Sequence, residues 1–590
     1  MKFIAFLKKD EQKTIDIHEY KRIADDHHYC LFSDSEVISS NFSYYTKNNI
    51  HIALLGNIKT RGLKSKDILS LFIEKYLSDG IVFFNTLHGS FIIILWDGEK
   101  KVLHVRRDAY GTKLLYYHFS NNSGLAFSNN LDTLLRFTGP QGISKNALHE
   151  YLRFLDISPP FTIYENVYFL EPDKILIADQ YNIALKDIPS APGINNKKIT
   201  LKDAVSEFRN LLNTSIADRI GQIDKAGIFL SGGIDSALLS ALASKQVRNL
   251  KAYTVGFDDP RFDESDIARS IAEYLKIEHQ ILKFNIKEDY KAFEDFVSVV
   301  PSPFADPAVI PTFQCIKHVS DDVELLIDGT GADTLIGLMP ARHIRFILDF
   351  SRHIPHRLRL FLSSLLQLNN KCASYVDLFG FQDVEELLIR WKGWSKKEIA
   401  SLCNENCDLS HTGFYKTFSE NSGKNAYDLY SLLTGSLPDD RVHQLSDIFG
   451  REILFPFFDY GVQKFVRSLP FELKYDDGVH KILYKKLLEE FIPRSIWDKP
   501  KHGFDYPFEN LLRYDDSRLL KKYLNKEMIH KQMFFDPLVV EKYLQKFLNG
   551  DDTVKFKIWA LVVFQAWYAN YHCKLFTRPH SLSGSLRELA

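Results

Sequence analysis

Short apolar segments alternate with amphipathic helical segments between residues 201 and 329, and this alternation constrains the fold more than any other feature. Each apolar segment is four to seven residues long, which suits a buried strand rather than a helix. Strands that alternate with helices predict a parallel sheet with helices on both faces, so we expect an open α/β domain here. The strand-like segments are KAGIFL, KAYTVGF, HQILKFN and VELLIDG, and the helical ones are LKDAVSEFRNLLNTSIADRI, IDSALLSALASKQ and DESDIARSIAEYL.

The rest of the 590-residue chain divides into three parts. Residues 1–185 contain many short apolar runs between Gly, Asp and Asn turns, which predicts a β-rich domain. Residues 186–200 are rich in Pro, Gly and Asn and are interpreted as a linker. Residues 201–590 form the second domain, and its sequence becomes mostly helical from about residue 340, with a helical insertion at about 340–440.

Composition excludes several classes of protein. The formal net charge is −1, which favours neither nucleic acid nor an anionic membrane as a partner. No apolar stretch approaches the roughly 18 residues of a membrane-spanning helix, and the N-terminus is not a signal peptide, so a cytoplasmic protein is expected. Cys403 and Cys407 with His411 give three candidate zinc ligands without a fourth, which favours free or structural thiols.

The sequence SGGIDS, residues 231–236, joins a predicted strand to a helix. Two glycines allow a sharp turn and close approach of backbone N–H groups to a ligand. The helix N-terminus adds N–H donors and a positive dipole end, while Ser231 and Ser236 add hydroxyls. A tight turn without a ligand is the simpler alternative. The order of these groups at a strand end nevertheless predicts an anion cradle.

Asp235 within this loop would repel a phosphate unless a cation is also present. Asp333 follows a second strand and a second Gly-rich turn, in IDGTGADTLIG. Because both aspartates follow apolar strands of one predicted parallel sheet, we expect them at adjacent strand ends. Mg²⁺ is commonly bound by one or two carboxylates and phosphate oxygens, so Asp235 and Asp333 are the predicted metal ligands.

Several ordered blocks carry a resemblance to a known family. SGGIDS resembles the pyrophosphate loop of ATP pyrophosphatases, and the segments YTVGFDDPRFDESD, SPFADPAVIPTF, LFPFFDYGVQKFVRSLP and DKPKHGFDYP resemble blocks of the asparagine synthetase family. LHGSFIIILWDGEKKVLHVRRDAYGTKLLYY resembles that family's glutaminase-type domain. The resemblance implies an N-terminal Ntn-type αββα sandwich followed by a parallel-sheet ATP pyrophosphatase domain with a large helical C-terminal part.

The resemblance also implies the chemistry: ATP and Mg²⁺ convert a carboxylate to an acyl-adenylate, and an amine then displaces AMP. Lys501 matches the family's active-site lysine, although a solvated surface lysine is the ordinary alternative. The implied ATP and pyrophosphate site consists of Ser231, Gly232, Gly233, Asp235, Ser236, Gly256 and Gly329.

The N-terminal domain departs from the family at three positions. Members that hydrolyse glutamine have an N-terminal cysteine nucleophile, whereas this chain has Lys2, whose protonated amine cannot replace a thiolate. The family's Asn-Gly oxyanion pair falls at Leu55-Gly56, and its glutamine-binding aspartate falls at His88. Three losses predict a domain that keeps its fold without glutamine hydrolysis.

A fourth departure is Thr330, where asparagine synthetases have Glu and β-lactam synthetases have Tyr. The β-lactam synthetase Tyr works with a Glu that matches Glu452 in this chain. Glu452 is therefore a candidate catalytic residue for deprotonating the amine, with a structural carboxylate as the alternative.

Relatives that lost the cysteine use an amine of their own substrate. The chain length and helical insertion favour a lasso peptide macrolactam cyclase, which joins an Asp or Glu side chain to the N-terminal amine of a precursor peptide. Its expected partners are that precursor, a leader-peptide recognition protein and a leader protease, with no nucleic acid and no membrane. The alternatives are an asparagine-synthetase-like or β-lactam-synthetase-like ligase for another small or glycan-linked carboxylate, and a non-catalytic scaffold.

Overall fold

The structure is a computed structural model, and it describes most of the chain. The described residues are 1–7, 20–26, 28–34, 42–58, 65–120, 124–172, 174–188, 199–221, 223–337, 354, 355, 357, 358, 361, 393–421, 424, 426–435, 441–476, 479–499 and 506–575. Lys501 lies outside these residues, as do residues 189–198 of the predicted linker and most of the predicted insertion.

Two six-stranded antiparallel sheets form the N-terminal domain, in the orders β10-β8-β9-β1-β3-β2 and β12-β11-β7-β6-β5-β4. The strands are β1 Phe3–Leu7, β2 Lys21–Asp25, β3 Tyr29–Ser33, β4 Phe42–Lys47, β5 Ile50–Ile58, β6 Gly89–Asp97, β7 Val102–Arg107, β8 Tyr116–Ser120, β9 Gly124–Ser128, β10 Val167–Phe169, β11 Lys174–Ala178 and β12 Ile183–Asp187. The last strand ends two residues beyond the predicted domain boundary at 185.

Side-chain alternation explains how these sheets pack. In β6, Ile92, Ile94 and Trp96 face the core between the two sheets, whereas Ile93 and Leu95 pack under helix α1 on the outside. Because successive side chains of a strand point to opposite faces, an apolar run such as FIIILW fits only a strand that is covered on both sides. The covering helices are α1 Ser65–Asp79 with a 3₁₀ turn at Gly80–Thr86, α2 Leu131–Thr138 and α3 Lys145–Phe154. The predicted αββα sandwich is confirmed.

A five-stranded parallel sheet forms the centre of the second domain, in the order β15-β14-β13-β16-β17. The edge strand β17 follows the insertion in sequence and was not predicted. The elements are α4 Leu201–Ile220, β13 Lys225–Phe229, α5 Ile234–Ala243, β14 Asn249–Gly256, α6 Ser265–Leu275, β15 Glu278–Lys283, α7 Ile286–Val299, α8 Val309–Lys317, β16 Leu325–Ile327, α9 Ala332–Ile336 and β17 Ile453–Leu454.

The remaining described part is mostly helical, as the sequence predicts. Its elements are α10 Lys396–Cys403, α11 Gly413–Asn421, α12 Ala426–Gly435, α13 Arg441–Ile448, 3₁₀ turns at Pro456–Phe458, Phe471–Leu473 and Asp552–Val554, α14 Tyr460–Ser468, a hairpin of β18 Tyr475–Asp476 and β19 Val479–His480, α15 Ile482–Glu489, α16 Arg494–Trp497, α17 Phe508–Tyr523, α18 Lys526–Gln532, α19 Pro537–Leu548, α20 Lys555–Trp567, a π turn at Tyr568–His572 and α21 Cys573–Leu575. Among the described residues, no helix combines the length and apolarity needed to cross a bilayer.

One hydrophobic core joins the two domains. Ile4, Tyr151 and Tyr164 of the sandwich belong to the same buried cluster as Phe293 and Trp559 of the second domain. The Tyr151 hydroxyl donates to the carbonyl of Ala560 at 2.8 Å. Burial of this size across a domain boundary favours a fixed arrangement of the domains.

Candidate active site

The predicted anion cradle lies at the carboxyl end of β13. The N–H of Gly233 donates to Ser231 Oγ at 3.1 Å, and the N–H of Ser231 donates to Ser236 Oγ at 3.1 Å. These bonds hold the turn in shape before helix α5 begins. No side chain caps the first turn of α5, so its N–H groups and positive dipole end remain at the loop.

A cavity of about 360 Å³ opens above this loop, lined by Ser231, Gly233, Asp235, Ser236, Gly329 and Asp333 among others. The structure therefore brings both predicted metal carboxylates and most of the predicted phosphate loop to one place. Gly232 and Gly256 are not among its lining residues. A Cβ on Gly232 would lie 3.2 Å from Cβ of Ile267, and one on Gly256 would lie 3.0 Å from side-chain carbons of Lys283. These two glycines allow close packing of neighbouring elements.

Asp235 and Asp333 are joined by a lysine that the sequence analysis did not single out. Lys481 Nζ lies 2.6 Å from Asp235 Oδ2 and 2.7 Å from Asp333 Oδ1. Burial disfavours the ammonium, but the two carboxylates outweigh burial and raise the pKa of Lys481. The two carboxylates therefore make the electrostatic potential strongly negative at the position of the Lys481 ammonium. The only sequence signal for Lys481 is that it begins the segment KILYKKLLEEFIPRSIWDKPKHGFDYP, which resembles a C-terminal block of the family.

The carboxylate pair fits a divalent cation. Mg²⁺ usually takes one or two protein carboxylates and completes its shell with water and phosphate oxygens. Asp235 and Asp333 would hold the ion, which would neutralise the pyrophosphate leaving group. Within the described ranges, no group of three or more His, Cys, Asp or Glu side chains is arranged to hold a metal. The magnesium ligands therefore stay a prediction, and phosphate oxygens would have to complete the site.

Other polar groups of the cavity were also missed by the sequence analysis. Asp328, Glu264 and Arg441 line it, and Arg441 Nη1 lies 2.5 Å from Asp306 Oδ2. Thr330 donates both its N–H, at 2.8 Å, and its hydroxyl to Asp328 Oδ1. A carboxylate thus lies beside the threonine that replaces the family's Glu or Tyr.

Glu452 is located elsewhere. Its Oε1 forms an ion pair with Arg219 of α4 and lies 3.9 Å from Lys113 Nζ of the N-terminal domain. Glu452 precedes β17, so it lies at the amino end of the strand, and it is not among the described residues lining the cavity. This geometry supports the structural alternative for Glu452, because a parallel sheet places its active side chains at the carboxyl ends of the strands.

Two of the three departures in the N-terminal domain, His88 and Lys2, lie at or near contacts with the second domain, and the third, Leu55, lies in the core of the sandwich. The His88 ring stacks on the Tyr460 ring, with centroids 3.8 Å apart. Lys2 contributes positive charge near Asp447 of α13, whose pKa burial raises and whose carboxylate accepts a hydrogen bond from Asn130. Leu55 is buried between the sheets. These side chains pack and pair where the resemblance would require a nucleophile, an oxyanion donor and a substrate ligand.

Comparison with known proteins shows the family of this chain. The family described as asparagine synthase matches residues 207–569, which is more than half of the chain. A glutamine amidotransferase domain matches residues 58–187. The chain belongs to the asparagine synthase family. Members of this family are ATP-dependent amide ligases, and the assignment of the loop and the carboxylates to the ATP site stays a prediction.

Individual members of the family are only distantly similar. Asparagine synthetase [glutamine-hydrolyzing] 1 of Bacillus subtilis is 27% identical over 515 residues, covering 82% of this chain and 78% of the relative. A putative asparagine synthetase [glutamine-hydrolyzing] of Mycobacterium tuberculosis is 24% identical over 522 residues, covering 82% and 76%. Amidase chry2 of Gibberella zeae is 26% identical over 288 residues, covering 45% and 42%.

Proposed function

We propose that this protein makes an amide bond through an acyl-adenylate, and that it closes the macrolactam of a lasso peptide precursor. A side-chain carboxylate of Asp or Glu would attack the α-phosphate of ATP and release pyrophosphate. The N-terminal amine of the same peptide would then attack the acyl carbon and release AMP. The observation that carries this choice of amine is Lys2, because it stands where glutamine-hydrolysing members have the cysteine nucleophile that releases ammonia from glutamine.

The residues of the cavity support the first half-reaction. The backbone N–H groups of the loop and the hydroxyls of Ser231 and Ser236 are donors for the β- and γ-phosphates. Asp235 and Asp333 are suited to Mg²⁺, and Lys481 adds an ammonium within 3 Å of both. Positive groups held in place before the reaction stabilise charge that develops on the leaving pyrophosphate.

The second half-reaction needs a proton acceptor, because an amine is protonated at neutral pH and must lose a proton to attack. Asp328 is the carboxylate that best fits this role. It lines the cavity, and two donors of Thr330 orient its Oδ1. We therefore assign the base to Asp328 rather than to Glu452, whose carboxylate is paired with Arg219.

A second candidate function follows from the relatives. Two of them are named glutamine-hydrolyzing asparagine synthetases, so a small or glycan-linked carboxylate with free ammonia as the amine is the alternative substrate set. Both candidates share the acyl-adenylate and differ in the amine.

The test is mass spectrometry of a candidate precursor peptide incubated with this protein, ATP, Mg²⁺, the leader-recognition protein and the leader protease. Loss of one water from the core peptide, with AMP formed in equal amount, is the expected result. ATP–pyrophosphate exchange measured with aspartate, and with peptides bearing Asp or Glu side chains, separates the candidates. Exchange with free aspartate and none with peptides would contradict the cyclase, and no exchange with any of them would favour a scaffold.

A further inference from the structure

A second cavity lies between the two domains. It encloses about 260 Å³ and is lined by both, with Tyr110, Phe161 and Phe169 from the sandwich and Ser302 and Phe458 from the second domain. We call it the interdomain cavity. About half of its lining residues are buried, including Phe169 at 8% exposure, and the others are partly exposed. It is thus a pocket between the domains that is partly open to solvent.

The interdomain cavity adjoins the ATP cavity. Thr334 lines both, and helix α13 presents Arg441 and Val442 to the ATP cavity but His443 and Gln444 to the interdomain cavity. A Cβ on Gly331 of the ATP cavity would lie 3.0 Å from Cζ of Phe458. Only single residues such as Thr334 and Phe458 would therefore separate a ligand in the interdomain cavity from the ATP cavity.

The walls combine aromatic surface with one acidic residue. Asp156 is the only carboxylate among the described residues that line the interdomain cavity, and it is 6% exposed. The one guanidinium, of Arg107, donates to the carbonyls of Leu170 and Gly111 and lies over the Phe169 ring. Burial, with Arg107 and Lys113 nearby, lowers the pKa of His443 to about 3. His443 is therefore neutral at pH 7, and the positive charges beside it are those of Arg107 and Lys113.

The volume argues against a passage for ammonia alone. One water needs roughly 10–15 Å³ of this kind of cavity volume, so the interdomain cavity, at about 260 Å³, is many times larger than ammonia requires. Its size and aromatic lining suit an organic group the size of one or two side chains.

We propose that the interdomain cavity binds the amine-bearing end of the acceptor substrate, an organic ammonium with an apolar body. This inference rests on the proposed function, because only an amide ligase needs an amine beside its ATP site. Asp156 attracts the ammonium and the aromatic walls hold its carbon skeleton. The amine then reaches the acyl-adenylate past Thr334 and Gly331. The N-terminal domain, in place of supplying ammonia, supplies half of the acceptor site.

The probe is 2-phenylethylammonium, an organic ammonium whose ring matches the aromatic lining, with ammonium chloride for comparison. Binding to the full-length protein is measured by isothermal titration calorimetry. We expect saturable binding of the aromatic amine and none of ammonium. Ser302→Phe fills the cavity and Asp156→Asn removes the charge while keeping an oxygen for the Ile157 N–H, and each should weaken binding about tenfold or more. Ser270→Phe, at a half-buried serine outside both cavities, is the matched control.

The outcomes separate the two proposals. No binding of 2-phenylethylammonium by the wild-type protein, or unchanged binding in Ser302→Phe, would overturn the acceptor site. Calorimetry with Mg²⁺ and ATP on the same samples checks that each variant is folded. If the aromatic amine binds as expected while ATP–pyrophosphate exchange is absent with every carboxylate, the proposed function fails and the binding site stands.

Discussion

Lys481 forms ion pairs with both Asp235 and Asp333. The first prediction concerns what happens when this lysine is removed. Lys481→Met leaves two carboxylates facing each other without their cation. Removing one partner of a buried ion pair costs about 3–5 kcal/mol, and the exposure of the Asp333 side chain, 55%, lowers the expected loss to about 1–3 kcal/mol. Mg²⁺ should then raise the thermal midpoint of this variant more than that of the wild type, because the ion takes the place of the ammonium.

Differential scanning fluorimetry with and without Mg²⁺ measures this effect. Lys486→Met is the control, since Lys486 lies on helix α15, which begins directly after Lys481, and pairs with Glu489 at the surface. Equal Mg²⁺ responses of Lys481→Met and Lys486→Met would show that the two aspartates do not bind the metal together.

At the same scale, Asp328 supplies the second prediction. Asp328→Asn keeps an oxygen that can accept the two bonds from Thr330 but has lost its basicity. ATP–pyrophosphate exchange should persist, while amide formation falls about 10²–10⁴-fold, the usual contribution of a general base. Amide formation by the variant should also rise with pH, because a larger fraction of the amine is then neutral. A loss of exchange equal to the loss of amide would place Asp328 in ATP binding instead.

At the scale of elements, the partly buried carboxyl of Asp289 joins α7, α8 and the segment just before α17. Asp289 accepts hydrogen bonds from Gln314 at 2.6 Å and from Tyr506 at 2.8 Å. Burial nevertheless raises the pKa of Asp289 to about 6, with Glu288 and Asp258 adding to the shift against those two bonds. The folded protein therefore holds this proton more tightly than the unfolded chain does, whose value is 3.8.

The third prediction follows from that shift. The proton on Asp289 stabilises the fold fully below about pH 4, and this contribution is lost as pH rises through about 6, by at most about 3 kcal/mol. Asp289→Asn carries no such group, so its stability relative to the wild type should increase from pH 4 to pH 7. Urea unfolding at both pH values measures the difference. Asp179→Asn is the control of opposite sign, because hydrogen bonds from the Tyr181 and Asn182 N–H groups lower the pKa of Asp179, so its stability relative to the wild type should fall over the same range. A difference that does not change with pH would contradict the raised pKa.

At the scale of the whole molecule, the shared core predicts that the domains unfold together. The cluster that contains Tyr151 and Trp559 spans both, so separating the domains would expose a large aromatic surface. Far-ultraviolet circular dichroism and tryptophan fluorescence should therefore report one coincident transition. Residues 199–590 expressed alone should aggregate. Two separate transitions, or a soluble and active fragment, would show that the N-terminal domain is dispensable.

The three replaced residues of the N-terminal domain, Lys2, Leu55 and His88, also predict that this protein has no glutaminase activity. Ammonia release from glutamine should not exceed the rate without protein, and Lys2→Cys should not restore it. A thiol alone is insufficient because His88 is stacked on Tyr460 and Leu55 replaces the oxyanion donor. A coupled glutamate dehydrogenase assay measures the ammonia. Release by the wild type would contradict the proposed source of the amine.

The sequence pattern by itself predicted a β-rich N-terminal domain, the parallel sheet and the strand-to-helix loop at residues 231–236, because these follow from local periodicity and from turn residues at fixed positions. The sandwich arrangement followed from the resemblance to the family. The pattern also placed Asp235 and Asp333 near each other, since both follow strands of one sheet. Only the tertiary structure decided the partners that come from distant segments: Lys481 between the carboxylates, Arg219 on Glu452, and Tyr460 against His88. The strand β17 and the interdomain cavity were likewise beyond the sequence pattern. Their formation depends on which surfaces pack against each other across hundreds of residues, and local periodicity carries no information about that choice.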